Sequence, residues 1–225
     1  MEAVDKSERD PLELIYNRRF SAIAEYRQNV WKILCGDFFS KYIKPTDTVL
    51  DLGCGWGEFI NTIDAKKKFA MDLNPEAADH LDSSVTFLQQ DCSANWGLES
   101  NSLDVVFSSN FLEHLPSKAH LRETFKQIQR CLKPGGKVIC LGPNIRFLRG
   151  RYWDFFDHYV ALSELSLKEL MEISGFKCEE CVPRFLPYTM SDRQPPLLFL
   201  KLYLKMPLAW PLFGKQFLVV GKKSG

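Results

Sequence analysis

The chain has 225 residues, 45% of them hydrophobic and 25% charged, the make-up of a soluble globular protein with one full α/β core. A formal net charge of +1 argues against a nucleic-acid binder working through a basic face, and no nucleic-acid partner is expected. Seven cysteines without a secretory leader point to a reducing compartment, so a cytoplasmic protein is expected.

Residues 1–12 are polar and charged, and the pattern turns helical over residues 12–42. Val30, Leu34, Phe38 and Tyr42 recur every four residues, with Trp31 and Phe39 widening the apolar stripe. Lys44-Pro45-Thr46-Asp47 ends this lead-in. Val49, Leu50 and Leu52 then form a short apolar run of the kind that fills a parallel sheet covered on both faces. Gly53, Gly55 and Gly57 follow, where the backbone can turn tightly and a ligand can approach with no Cβ in the way.

Spacing separates the meanings of this glycine turn. A dinucleotide fingerprint would place its third glycine at position 58, which holds Glu58, and the Gly-Lys-Ser/Thr of a phosphate loop is absent. Glu58 at a helix start would also repel a pyrophosphate. What remains, Asp51-x-Gly53-x-Gly55-x-Gly57, resembles the cofactor loop of the class I S-adenosylmethionine-dependent methyltransferases. That cofactor carries a sulfonium cation and no phosphate, so acidic residues suit it. The resemblance implies S-adenosylmethionine as cofactor and Asp51, Gly53, Cys54, Gly55 and Gly57 among its contacts. The aromatic and basic cluster Tyr16-Asn17-Arg18-Arg19-Phe20 is then either a cap over the ligands or a solvated helix face.

Further along, a second strand ends at Asp72 and Leu73, placed to meet the cofactor ribose, and Asn74-Pro75-Glu76 starts a helix. A third strand over residues 85–90 ends in Asp91 and Cys92, which the resemblance assigns to the adenine. Residues 103–109 read as the fourth strand, leaving through Asn110-Phe111-Leu112-Glu113-His114-Leu115. This exit looks like the N-x-x-E-H-[L/I] of many small-molecule methyltransferases. It departs from the [N/D]-P-P-[Y/F] of enzymes that grip a planar amine, which counts against an exocyclic base nitrogen as acceptor. Asn110 joins the cofactor set. Glu113 and His114 are adjacent, so at most one is expected to face the cofactor well.

Leu121, Phe125, Ile128 and Leu132 mark a helix expected to stop at Lys133-Pro134-Gly135-Gly136, before a fifth strand over residues 137–141. Ser166 and Glu169 read as a capping box for a helix closing at Gly175. Two more strands, over residues 176–182 and 217–220, complete the expected fold: α/β, a doubly wound, seven-stranded, mostly parallel sheet of the Rossmann-like methyltransferase type with helices on both faces. One domain is expected: a helical cap over 1–44, a cofactor-binding core over 45–182, an apolar insertion over 183–215 and a last strand over 216–225.

Two stretches are left over for the methyl acceptor. In the 142–159 loop, Arg146, Arg149, Tyr152 and Trp153 suit an anionic or sugar-like substrate. His158 with Asp157 is the first candidate for a general base, with His114 the second; packing roles for all three remain open. The apolar 195–213 segment is interrupted by Lys201, Lys205, Pro207 and Pro211 and is too short to span a bilayer. It reads as a lid, a dimer contact, or a peripheral membrane or lipid-tail contact. Cys178-x-x-Cys181 stands alone, without a second pair, and no metal site is expected. The reading is methyl transfer to an oxygen, less readily a nitrogen, of a small polar acceptor such as a sugar or lipid-linked glycan. Alternatives are a macromolecule methyltransferase and a non-catalytic cofactor-binding subunit.

Overall fold

The computed structural model describes residues 24–188 and 194–224; Tyr16–Phe20 and Thr189 lie outside them. Helix α1 (Ala24–Asp37) leads in, followed by a short 3-10 turn at Phe39–Lys41. The strands are β1 (Thr48–Leu52), β2 (Lys67–Asp72), β3 (Val85–Gln89), β4 (Leu103–Ser109), β5 (Leu132–Pro143), β6 (Phe176–Val182) and β7 (Gln216–Lys223). They form one seven-stranded sheet in the order β3-β2-β1-β4-β5-β7-β6. The first five are parallel, while β7 runs antiparallel to both β5 and β6. The doubly wound, seven-stranded, mostly parallel sheet matches the sequence expectation.

Alternation along each strand divides the core between the two faces of the sheet. Leu50, Leu52, Met71 and Val106 pack on one face with Phe125 and Ile128 from helix α3 (Lys118–Cys131). Val49, Ala70, Val105, Phe107 and Val220 pack on the other, against α1. On that second face Phe59 and Phe107 stack with ring centroids 3.7 Å apart, and the Trp31 ring meets both edge-on. Such contacts add about 0.5–1.5 kcal/mol per pair beyond the area buried. They fix the floor beneath the glycine turn.

Three local expectations shift. Ser117 caps α3, accepting from the Ala119 and His120 amides, but the helix ends at Cys131 and the chain becomes extended at once. Lys133-Pro134-Gly135-Gly136 therefore lies inside β5, where the Lys133 ammonium holds the Asp104 carboxylate at 2.7 Å. The capping box is Ser163 with Ser166, not Ser166 with Glu169. Ser163 is extended, its Oγ accepts from the Ser166 amide, and the Ser166 Oγ accepts from the Ser163 amide. The helix, α5 (Glu164–Ile173), consequently starts earlier and closes as expected, with Gly175 at φ +87°.

Between β6 and β7 the chain leaves the sheet to form α6 (Leu197–Leu204) and the four-residue α7 (Trp210–Phe213). Leu204 and Trp210 anchor this insertion in the second core, while Leu198, Phe199, Leu202, Leu208, Leu212 and Phe213 stay exposed. No helix among the described residues is long and apolar enough to cross a membrane.

Candidate functional site

The turn after β1 is tied to its neighbour strand through the main chain. The Gly53 and Cys54 amides both donate to the Met71 carbonyl, at 2.9 and 3.1 Å. Gly53, Gly55 and Gly57 take φ of +72°, +52° and +72°, and Gly57 delivers the chain into α2 (Glu58–Thr62). A Cβ on Gly53 would lie 2.1 Å from the Phe111 ring, so the β4 exit packs directly under the turn. Asp72 reaches across from the end of β2: Oδ2 accepts from the Gly55 amide at 2.9 Å and Oδ1 from the Asn74 amide at 3.0 Å.

The turn is electronegative. Asp51 is buried, and burial raises its pKa well above the usual carboxylate range, with the charges of Glu58 and Asp72 pushing the same way. Arg27 from α1 balances Glu58 at 2.7 Å. Cys54 is buried, and burial likewise raises its thiol pKa.

Because β3, β2, β1 and β4 are neighbours, their carboxyl ends line up. Leu73 beside Asp72 is 58% exposed, an apolar face open to a flat ring. Asp91 is exposed, and its Oδ1 accepts from the Ser93 amide and hydroxyl at 2.8 Å each. Cys92 is buried, and its carbonyl accepts from the Trp96 indole. Asp72, Leu73, Asp91 and Cys92 are not in the lining of the cavity that the turn opens onto.

That cavity, about 830 Å³, begins at Asp51, Gly53, Cys54, Gly55 and Glu58 and extends over Trp31, Phe59 and Phe107. Asn110, Glu113, His114, Phe155 and His158 line it as well. Phe199 and Tyr203 of α6 close it, together with Lys215 and Gln216. Asn110 has φ +49°, and its side-chain amide donates to the Ser109 hydroxyl.

The expected pairing of His158 with Asp157 is replaced by a different one. Asp157 lies against His114, whose Nδ1 is 2.8 Å from its carbonyl and 3.3 Å from its carboxylate. His158 is buried, stacked on Phe155 and edge-on to both His114 and Tyr152. Glu113 is buried as well, and burial raises its pKa, an effect that the neighbouring His114 opposes. The Glu113 carbonyl accepts from the Tyr159 and Val160 amides, which staples the end of the 142–159 loop to the β4 exit.

The residues singled out for substrate lie off the cavity. Arg146 is ion-paired to the buried Glu164, which also accepts from the Asn144 side chain at 2.6 Å. Tyr152 is buried, its hydroxyl donating to the Val160 carbonyl and accepting from the Leu162 amide. Arg149, at φ +54°, and Trp153 are exposed. The same loop supplies Phe155 and His158 to the wall instead. Residues from the insertion complete that wall, and the run of Leu, Phe and Tyr there was the available signal, without saying which face would turn inward.

A family model described as a methyltransferase domain matches residues 23–181. Phosphoethanolamine N-methyltransferase 2 of Caenorhabditis elegans is 30% identical over 206 residues, covering 82% of this chain and 44% of its own length. Phosphoethanolamine N-methyltransferase 1 of Arabidopsis thaliana is 32% identical over 139 residues, 51% of this chain and 27% of its own. The chain thus spans less than half the length of these relatives. A solved SAM-dependent methyltransferase from Archaeoglobus fulgidus shares the fold with TM-score 0.67 at 20% identity, covering 95% of this chain and 100% of that one.

Proposed function

The chain belongs to the methyltransferase domain family, and we propose that it moves the methyl group of S-adenosylmethionine to a small polar acceptor. One observation carries this reading: a single cavity joins the acidic glycine turn to the Glu113, His114 and His158 cluster. The turn suits the cofactor, since Asp51 and Glu58 line the cavity there, Asp72 holds the Gly55 amide, and Gly53 and Gly55 present no side chain to it. When bound, the cofactor supplies an electrophilic methyl whose sulfur keeps the electron pair of the broken bond.

In this reading Asp72 orients the ribose while holding the turn through Gly55, and Leu73, Asp91 and Cys92 frame the adenine. Phe59, Phe107 and Trp31 keep water from the floor. The accepting atom sits against Glu113, His114 and His158, where its proton leaves, with Asp157 orienting His114. The relatives named for phosphoethanolamine N-methylation favour nitrogen as the accepting atom, and their names lend no support to a sugar oxygen. Lys215 is a cation on the cavity wall for an anionic group on the acceptor.

Calorimetric titration with S-adenosylmethionine and, separately, NADH tests the cofactor. Micromolar binding of the first alone is expected, and Gly55→Arg should abolish it while circular dichroism stays unchanged. Unchanged binding in that variant would place the cofactor elsewhere. Methyl transfer to phosphoethanolamine, set against a nucleotide sugar, then reads the acceptor class.

A further inference from the structure

We propose that Glu113, His114 and His158 form a binding site for a divalent transition-metal ion, such as manganese, iron(II), cobalt or zinc, in the wall of the cavity. One ligand atom from each of the three lies within 4.8 Å of the others. All three line the cavity, so an ion held there would keep open positions facing it. Two imidazoles and one carboxylate are a donor set for borderline cations rather than for calcium, which takes oxygen ligands.

The second observation is Glu113 itself. Its side chain is 2% exposed, and its Oε2 is buried without a hydrogen-bond partner among the described residues. Leaving such an oxygen unsatisfied is costly, the more so for a charged group. Coordination would remove that cost.

The surroundings are those of a held ligand set. Asp157 binds His114 through Nδ1, which leaves Nε2, 3.9 Å from Glu113 Oε1, to face an ion. A carboxylate or carbonyl behind a ligating histidine fixes its tautomer and raises its basicity. The Glu113 carbonyl, by accepting from the Tyr159 and Val160 amides, keeps His158 in register although it lies far along the chain. The ion would bind an oxygen of the acceptor and so orient the acceptor in the cavity, with Glu113, His114 and His158 then serving as its ligands and not as proton acceptors. That role rests on the methyltransferase reading; the site itself does not.

The test uses the purified chain after chelation, with cobalt(II) followed by its visible ligand-field band and manganese(II) followed by calorimetry, both without cofactor or acceptor. Stoichiometric binding is expected, weakened at least tenfold by Glu113→Gln and by His158→Asn. The Cys178→Ser, Cys181→Ser double variant, which removes the other sequence-adjacent pair of soft ligands, should bind as the parent does. Should His158→Asn not fold, His114→Gln, at a side chain 26% exposed, takes its place. No binding by the parent chain would overturn the site, as would binding that survives Glu113→Gln and vanishes with the cysteines. Retained S-adenosylmethionine binding in the variants separates loss of the metal from loss of the fold, and failure of the metal site would leave the cofactor reading standing.

Discussion

On the glycine-turn side of the cavity, main-chain groups do the positioning: the Gly53 and Cys54 amides on Met71, the Gly55 amide on Asp72. On the acceptor side the wall is assembled from side chains brought together over long sequence distances. Glu113 and His114 come from the β4 exit, His158 from the loop after β5, and Tyr203 from the insertion. Backbone geometry tolerates few residues but is read from short spacings. A wall of side chains tolerates substitution, and each member's role depends on partners far along the chain.

The sharpest way to break the comparison is at Gly53. Gly53→Ala places a methyl into the Phe111 ring at φ +72°. The left-handed backbone costs about 1–2 kcal/mol and overpacking about 1–3 kcal/mol, so a loss of roughly 3 kcal/mol in urea unfolding is expected. A loss under about 0.5 kcal/mol would mean that the turn is far more yielding than its contacts imply.

Next comes Arg146→Ala. Its partner Glu164 is buried while Arg146 itself is half exposed, so about 1–2 kcal/mol of stability should go. KM for the acceptor should not move, because the guanidinium is paired to Glu164 and Arg146 is not among the residues lining the cavity; a large rise in KM would restore it to the substrate set.

The turn should also respond to pH. The folded-state pKa of Asp51 is raised, so the folded chain holds this proton more tightly than the unfolded chain does. Its contribution to stability is present below the unfolded carboxylate pKa and is lost as pH rises through the folded value. A cationic ligand prefers the ionised form. Cofactor affinity should therefore grow with pH across that window, by at most about tenfold per unit, with proton release on binding. Calorimetry in buffers of different ionisation enthalpy measures the release; proton uptake would contradict it.

The smallest effect is expected at Tyr203→Phe. The hydroxyl donates to the Phe185 carbonyl at 2.6 Å, worth about 1 kcal/mol of stability. Acceptor KM should rise while the cofactor Kd stays put; a change in Kd alone would move α6 to the other side of the comparison.

How much was legible follows the same division. Asp51, the glycines and Asp72 could be placed because a strand, a turn and the next strand are contiguous, and φ above zero has a residue signature. The apolar runs located the strands, while their arrangement in a doubly wound sheet was what the family resemblance implied. Arg146 and Tyr152 were assigned to substrate by residue type, whereas Glu164 and the Val160 carbonyl decide what they do. Asp157 was paired with its neighbour His158, yet the turn of the loop brings it to His114. Ser163 and Ser166 show the limit at short range, since two overlapping serine frames fit a capping box and only the backbone chooses.

The place of β7 bears on how the chain acquires its shape during synthesis. β6 is made before β7 but hydrogen-bonds to no other strand. Until residues 216–223 have left the ribosome, β6 and the insertion after it have no sheet edge to dock on. The five parallel strands can close earlier around β1, so the glycine turn forms on a nascent chain whose opposite wall is still open. Lys215 and Gln216, at the entry to β7, then complete that wall in the same event that pairs the sheet's last two strands. Such long-range pairing is slow relative to helix formation, and Leu204 and Trp210, which the folded chain buries, spend that interval uncovered. Aggregation during expression would thus be governed by β7 rather than by the glycine turn.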